Sequence, residues 1–198
     1  MLLELLLTYS IARRDTNALA HRLINRFGSL RGVFEADFEA LCSVEGVGEH
    51  SAVLLKLVPE LTRRYFDEDS SNLRQLLTTE DVKQFVLPKF IGKRNEMLLI
   101  VFLGNKNQIL KGEFLQEGSI NSVHVNLRQI VERAVLVKAS GVIVAHNHPG
   151  GFAIPSNEDI SATRTLQSVL SPLGINLLDH LVVADNDFVS MRESMMLE

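Results

Sequence analysis

The chain has one cysteine, Cys42, among 198 residues. A single thiol cannot build a disulfide framework, nor can it supply a multi-cysteine zinc site. It fits a reducing compartment, and a cytoplasmic location is expected. No run of 18 apolar residues occurs, so no segment should span a membrane. The opening, MLLELLLTYSIARRD, lacks the basic start of a signal peptide and carries Glu4. It soon becomes amphipathic and reads as a buried helix. Positive charge is not in excess either. The net charge of -4 argues against a whole-molecule attraction to nucleic acid, while leaving room for a local patch. Two catalytic signatures are also missing. No G-x-S-x-G marks a serine nucleophile. The zinc deaminase pattern, H-x-E with P-C-x-x-C, needs a cysteine pair that the chain does not have.

What is present is an ordinary globular composition, with 46% hydrophobic and 22% charged residues. The length suffices for one full domain and a small one. Residues 1–66 read as helical. LLELLLTYSI, NALAHRLINRFG, DFEALCSV and EHSAVLLKLVPELTRRYF each repeat apolar residues at three- and four-residue spacing. Gly28 and Gly32 read as punctuation between them, and Asp37 as a helix cap. DEDSSN, residues 67–72, is acidic and free of apolar residues, so a linker is expected over 67–75.

Beyond it the pattern changes. TTEDVKQFVLPKFIG reads as a helix, followed by the strand-length apolar run MLLIVFL at 97–103. QILKGEFLQEG and NSVHVN read as further strands. NLRQIVERAVLVKAS reads as a helix capped by Asn126, and GVIVAH as a buried strand. SNEDISATRTLQSVLSPLG is a helix with Gly174 past its end, followed by strands in INLLDHLVVA and FVSM. This mixed order of strands and helices predicts an α/β domain around one sheet over residues 76–198.

The chemistry gathers in VIVAHNHPGGFAIPSNEDISATRTL, residues 142–166. Side chains two apart on a strand project to one side, so His146 and His148 share a face at a strand end. Pro149-Gly150-Gly151 turns the chain, and Asp159 returns in the first turn of the next helix. Two imidazoles and a carboxylate are suitable ligands for a catalytic Zn²⁺, with water in the fourth position. Ser156-x-x-Asp159 is also a helix capping arrangement. The two readings are compatible, since one carboxylate can open a helix and face a metal.

The spacing H-x-H-P-x(6)-S-x-x-D resembles the metal-binding signature of the JAB/MPN (JAMM) metallopeptidase-like fold. AHNHPGG, PSNEDI, LLDHLVV and VSMRE resemble the bacterial RadC family in particular. LINRFGSL and SVEGVGEHSAVLLKL resemble its helix-hairpin-helix region. Gly150 departs from the serine that RadC proteins more often carry there. The resemblance implies a zinc-dependent hydrolase acting on an amide, peptide or isopeptide bond of a protein or peptide substrate. It assigns His146, His148 and Asp159 to the metal and Glu96, in RNEMLLIVFL, to the general base. It makes Ser156 a hydrogen-bond donor to the oxyanion of a tetrahedral intermediate. Glu113 in KGEFLQEG competes with Glu96 for the base. His180 in LLDHLVV is a supporting or structural residue, and His21, His50 and His124 read as surface or packing residues.

RadC proteins also carry a DNA-repair label, which makes a DNA-associated accessory factor the alternative. Residues 44–52 are the candidate contact, because Gly46-Val47-Gly48 permits a hairpin whose amides could face a phosphate. Glu45 and Glu49 stand there instead of basic residues. Residues 1–64 hold eight basic and eight acidic side chains.

Overall fold

A computed structural model describes residues 2–11, 15–71, 74–115, 123–185 and 187–197, with side chains withheld for 67–71 and 123–126. The chain divides into two compact units, residues 1–66 and 67–198.

The first unit is all-helical. It comprises α1 (Leu2–Thr8), α2 (Asn17–Phe27), α3 (Leu30–Glu35), α4 (Phe38–Cys42) and the start of α5 (Glu49–Ser71). Leu3, Leu7, Leu19, Leu23, Leu41 and Leu55 are buried together, as the helical spacing requires. Gly28 ends α2 with φ of 81°, a conformation that favours glycine. Gly32 does something other than punctuate. It lies inside α3, where an added Cβ would fall 2.0 Å from the Phe27 carbonyl oxygen. Asp37 sits at the N-cap of α4. Gly46, with φ of 95°, lies in the hairpin between α4 and α5.

The acidic stretch expected as a loop instead continues α5 as far as Ser71. Residues 74–76, also expected within the linker or at its edge, already belong to the second unit. Ile109 N–H donates to the Arg74 carbonyl, and Leu76 N–H donates to that of Asn107.

The second unit is built on a five-stranded mixed sheet in the order β2-β1-β3-β4-β5. Its strands are β1 (Leu98–Leu103), β2 (Ile109–Leu115), β3 (Gly141–Asn147), β4 (Asn176–Ala184) and β5 (Asp187–Ser190). β3 and β4 are parallel and the other pairs antiparallel. Alternation along the strands sorts the core into two layers. Leu99, Val101, Leu103, Ile143 and Ala145 pack with Val82, Phe85 and Val86 of α6 (Thr79–Phe90). Ile100, Phe102, Val142 and Val144 pack against Ile130 and Ala134 of α7 (Val123–Leu136), and against Leu166 and Leu170 of α8 (Asn157–Leu170). α7 starts earlier than expected: residues 123–126 of NSVHVN are helical, so Asn126 lies within the first turn and is not the cap. Alternating apolar residues over so short a span suit either element. Residues 121–122 and 116–118 of the expected strands lie outside the described residues. Among the described residues, no helix is long and apolar enough to cross a membrane.

Candidate metal centre

β3 is the central strand and is buried along its whole length. Its period-two alternation places His146 on the same face as Val142 and Val144, toward α8. His148 follows just past the strand end, and the chain then reverses. Gly151 N–H donates to the His148 carbonyl at 3.1 Å. Gly150 takes φ of 70°, and Pro-Gly is the order that a type II turn favours. The reversal brings the Phe152 carbonyl to 3.1 Å from His148 Nδ1. A carbonyl only accepts, so Nδ1 carries a hydrogen, and the neutral tautomer that this contact selects has its lone pair at Nε2.

His146 is set by a longer relay. Thr163 Oγ1 donates to the Asp159 carbonyl at 2.6 Å and is itself hydrogen-bonded to His180 Nδ1. The hydroxyl has one hydrogen, so His180 Nδ1 must donate to it. Burial, then the neighbouring His146 ring, push the His180 pKa down to about 3, so the ring is neutral and its Nε2 accepts. His146 Nδ1 lies 2.8 Å from that nitrogen and donates to it. His146 Nε2 is left bare and faces the site.

Asp159 supplies the third donor, and its two oxygens divide the work. Oδ2 accepts from the Ser156 backbone N–H and from Ser156 Oγ, both at 2.7 Å. Ser156 Oγ accepts from the Asp159 N–H in return, which completes the capping box of α8. Oδ1 lies 3.3 Å from His146 Nε2, and Oδ2 lies 3.6 Å from His148 Nε2. Burial raises the Asp159 pKa, but the adjacent His146 ring and the hydrogen bonds from Ser156 outweigh it and hold the carboxyl well below the usual range. The Ser156 hydroxyl hydrogen is thus aimed at Asp159. The structure does not aim it at an incoming oxyanion, and the role it gives Ser156 is to orient Asp159.

The donor chemistry provides a test of metal fit. The two bare Nε2 atoms are 2.9 Å apart, and an anionic oxygen stands beside them. Lone pairs this close repel one another unless a cation draws them together. Zn–N bonds near 2.0 Å put tetrahedral ligand atoms about 3.3 Å apart, close to the 2.9 Å between the two Nε2 atoms and the 3.3 Å from His146 Nε2 to Asp159 Oδ1. A second carboxylate also approaches. Glu96 is exposed, on the irregular segment before β1, and its carboxylate lies within 4.8 Å of ring nitrogens of both histidines. Glu113 does not join them. It lies on β2, one strand further out, in ion pairs with Lys111 at 2.8 Å and Arg133 at 2.6 Å. His21 and His50 are exposed in the helical unit, and the side chain of His124 lies outside the described ones.

Sequence reading gave His180 a supporting role without naming its partner, and missed Thr163. They reach His146 only because the crossover through α8 lays β4 beside β3, pairing His180 with Val144 and Val182 with His146. The sole signal in the sequence was a polar pair, Asp179-His180, inside an apolar strand.

A mixed sheet with helices on both faces and an H-x-H at the end of its central strand define the JAB class of α/β domain, whose fold is associated with metallohydrolases. The chain belongs to the RadC family: the model described as "RadC-like JAB domain" matches residues 76–196. A UPF0758 protein from Carboxydothermus hydrogenoformans is similar to it, at 35% identity over 96% of this chain and 84% of that protein.

Proposed function

We propose that the protein is a zinc-dependent hydrolase that cleaves a peptide or isopeptide bond. His146 Nε2, His148 Nε2 and Asp159 Oδ1 would hold the metal. When bound, zinc supplies Lewis acidity that activates a water for attack and polarises the scissile carbonyl. The observation that carries the proposal is the convergence of His146 Nε2, His148 Nε2 and Asp159 Oδ1, each on a group held from behind by a hydrogen bond to its other polar atom.

Of the two carboxylates beside the histidines, Asp159 suits the ligand role. It is buried, ionised and held by Ser156. Glu96 suits the base, since it is exposed at the mouth of the site, where it can take a proton from the attacking water and deliver it to the leaving nitrogen. Glu45 and Glu49 beside the Gly46–Gly48 hairpin, with equal numbers of acidic and basic residues over 1–64, give nucleic acid less support than this reading has.

The test begins with metal analysis of protein purified without chelator, beside Asp159→Asn and Glu96→Gln. A broad peptide and isopeptide screen then supplies a substrate. Asp159→Asn should lose zinc. Glu96→Gln should keep it while turnover falls about 100-fold. Zinc retained in Asp159→Asn and lost in Glu96→Gln would exchange the two roles, and absence of any metal affinity would sink the proposal.

A further inference from the structure

Glu96 stands on a segment with no regular structure, between the end of α6 and the start of β1. A general base in such a place needs something to hold it. One side chain does so. Asn147, only 5% exposed, is the residue between the two histidines. Its Oδ1 accepts from the Met97 N–H at 2.8 Å. Its Nδ2 donates to the Asn95 carbonyl at 3.1 Å and to the Lys93 carbonyl at 3.4 Å. The Asn95 carbonyl belongs to the peptide unit before the Glu96 Cα, and the Met97 N–H belongs to the unit after it. One amide therefore grips both peptide planes that flank Glu96.

The chemistry of the grip is selective. It needs one acceptor and two donors in a single planar group, which asparagine has. Aspartate has no donor for the two carbonyls, and serine is too short to span both peptides. Strand alternation makes the arrangement possible, since residues 146 and 148 face the metal position and residue 147 faces the other way.

We infer that Asn147 is a positioning residue for Glu96, so that the H-x-H segment supplies both the imidazoles and the clamp that sets the base. The inference rests on the reading of Glu96 given above. Because no substrate is known, the test uses the full chain loaded with cobalt(II). Its visible spectrum reports the environment of the open coordination position, where the Glu96 carboxylate would act.

Wild type, Glu96→Gln, Asn147→Ala, Asn147→Ser and the Glu96→Gln/Asn147→Ala double variant are compared for spectrum, cobalt affinity and melting. Glu96→Gln should change the spectrum. Asn147→Ala and Asn147→Ser should change it in the same sense, and the double variant should match Glu96→Gln, because a residue acting through another adds nothing once that other is gone. Cobalt affinity should stay within about threefold throughout, below the roughly 10- to 100-fold that a group supporting a ligand costs. A wild-type spectrum in both Asn147 variants beside an altered one in Glu96→Gln overturns the inference and leaves the base intact. A wild-type spectrum in Glu96→Gln overturns both. Affinity lost by tenfold or more in the Asn147 variants alone, or failure of both to melt cooperatively, makes Asn147 a support of the histidines or of the fold, and also overturns the inference.

Discussion

His146 is buried, and its usefulness as a ligand depends on a hydrogen that sits on its far nitrogen. Either nitrogen of a neutral imidazole can be the protonated one, and the partner on one side decides which is bare on the other. Here that decision passes from the Asp159 carbonyl through the Thr163 hydroxyl and the His180 ring. Thr163→Val keeps the volume and removes the hydroxyl, freeing His180 to adopt the other tautomer and face His146 with a hydrogen. Zinc affinity should fall about 10-fold or more, read by competition with a chromophoric chelator, while the melting temperature of chelated protein moves little. His180→Ala should lower affinity at least as far. Unchanged affinity in both would mean that His146 needs no help to present Nε2.

Among the elements, β4 is tied to the turn after β5 by one carboxylate. Asp179 Oδ1 accepts from the backbone N–H groups of His180 and Arg192, and Oδ2 accepts from Ser190 Oγ. Burial raises the Asp179 pKa in spite of those three donors. A raised folded value adds stability that is complete below the unfolded pKa and is lost as pH rises through the folded one. Asp179→Asn cannot titrate. The melting-temperature advantage of wild type over Asp179→Asn should therefore be largest near the ordinary aspartate range, at about pH 4, and narrow toward neutrality. An advantage that is flat or grows with pH would contradict the raised value. The same element shows where sequence reading stops. The H-x-H and S-x-x-D were legible because strand and helix periodicity act locally, within residues 146–159. The β4 strand was legible too, but the service its histidine gives to His146 was not, since it depends on which strand lies next to β3. The first turn of α7 differs from the expectation for another reason: NSVHVN alternates like a strand, over too few residues to separate the two periods.

At the scale of the whole chain, each unit has buried clusters of its own among the described residues. The second unit should thus fold without the first. The fragment must begin early enough to keep residues 74–76, whose backbone pairs with residues 107–109. A fragment starting at Asp67 should melt cooperatively and bind zinc as tightly as the full chain, whereas one starting at Leu77 should be destabilised by the loss of that pairing and of buried Leu76. A Leu77 fragment as stable as the Asp67 fragment would make the pairing dispensable. An insoluble Asp67 fragment would show that the helical unit is needed. The linker could not be read correctly from composition, because acidity marks solvation and is as compatible with an exposed helix as with a loop.

The double duty of Asp159 has a consequence for how the protein matures. Its carboxylate caps α8 through Oδ2 and approaches His146 through Oδ1. The first turn of the helix and the proposed third metal donor thus share one carboxylate. A newly made chain cannot present a finished site before that helix has begun. A metal captured there would act as a pin through its end, stabilising the form that holds it in proportion to the free ion available. Metal supply in the cell would then govern the lifetime of the folded domain as well as its chemistry.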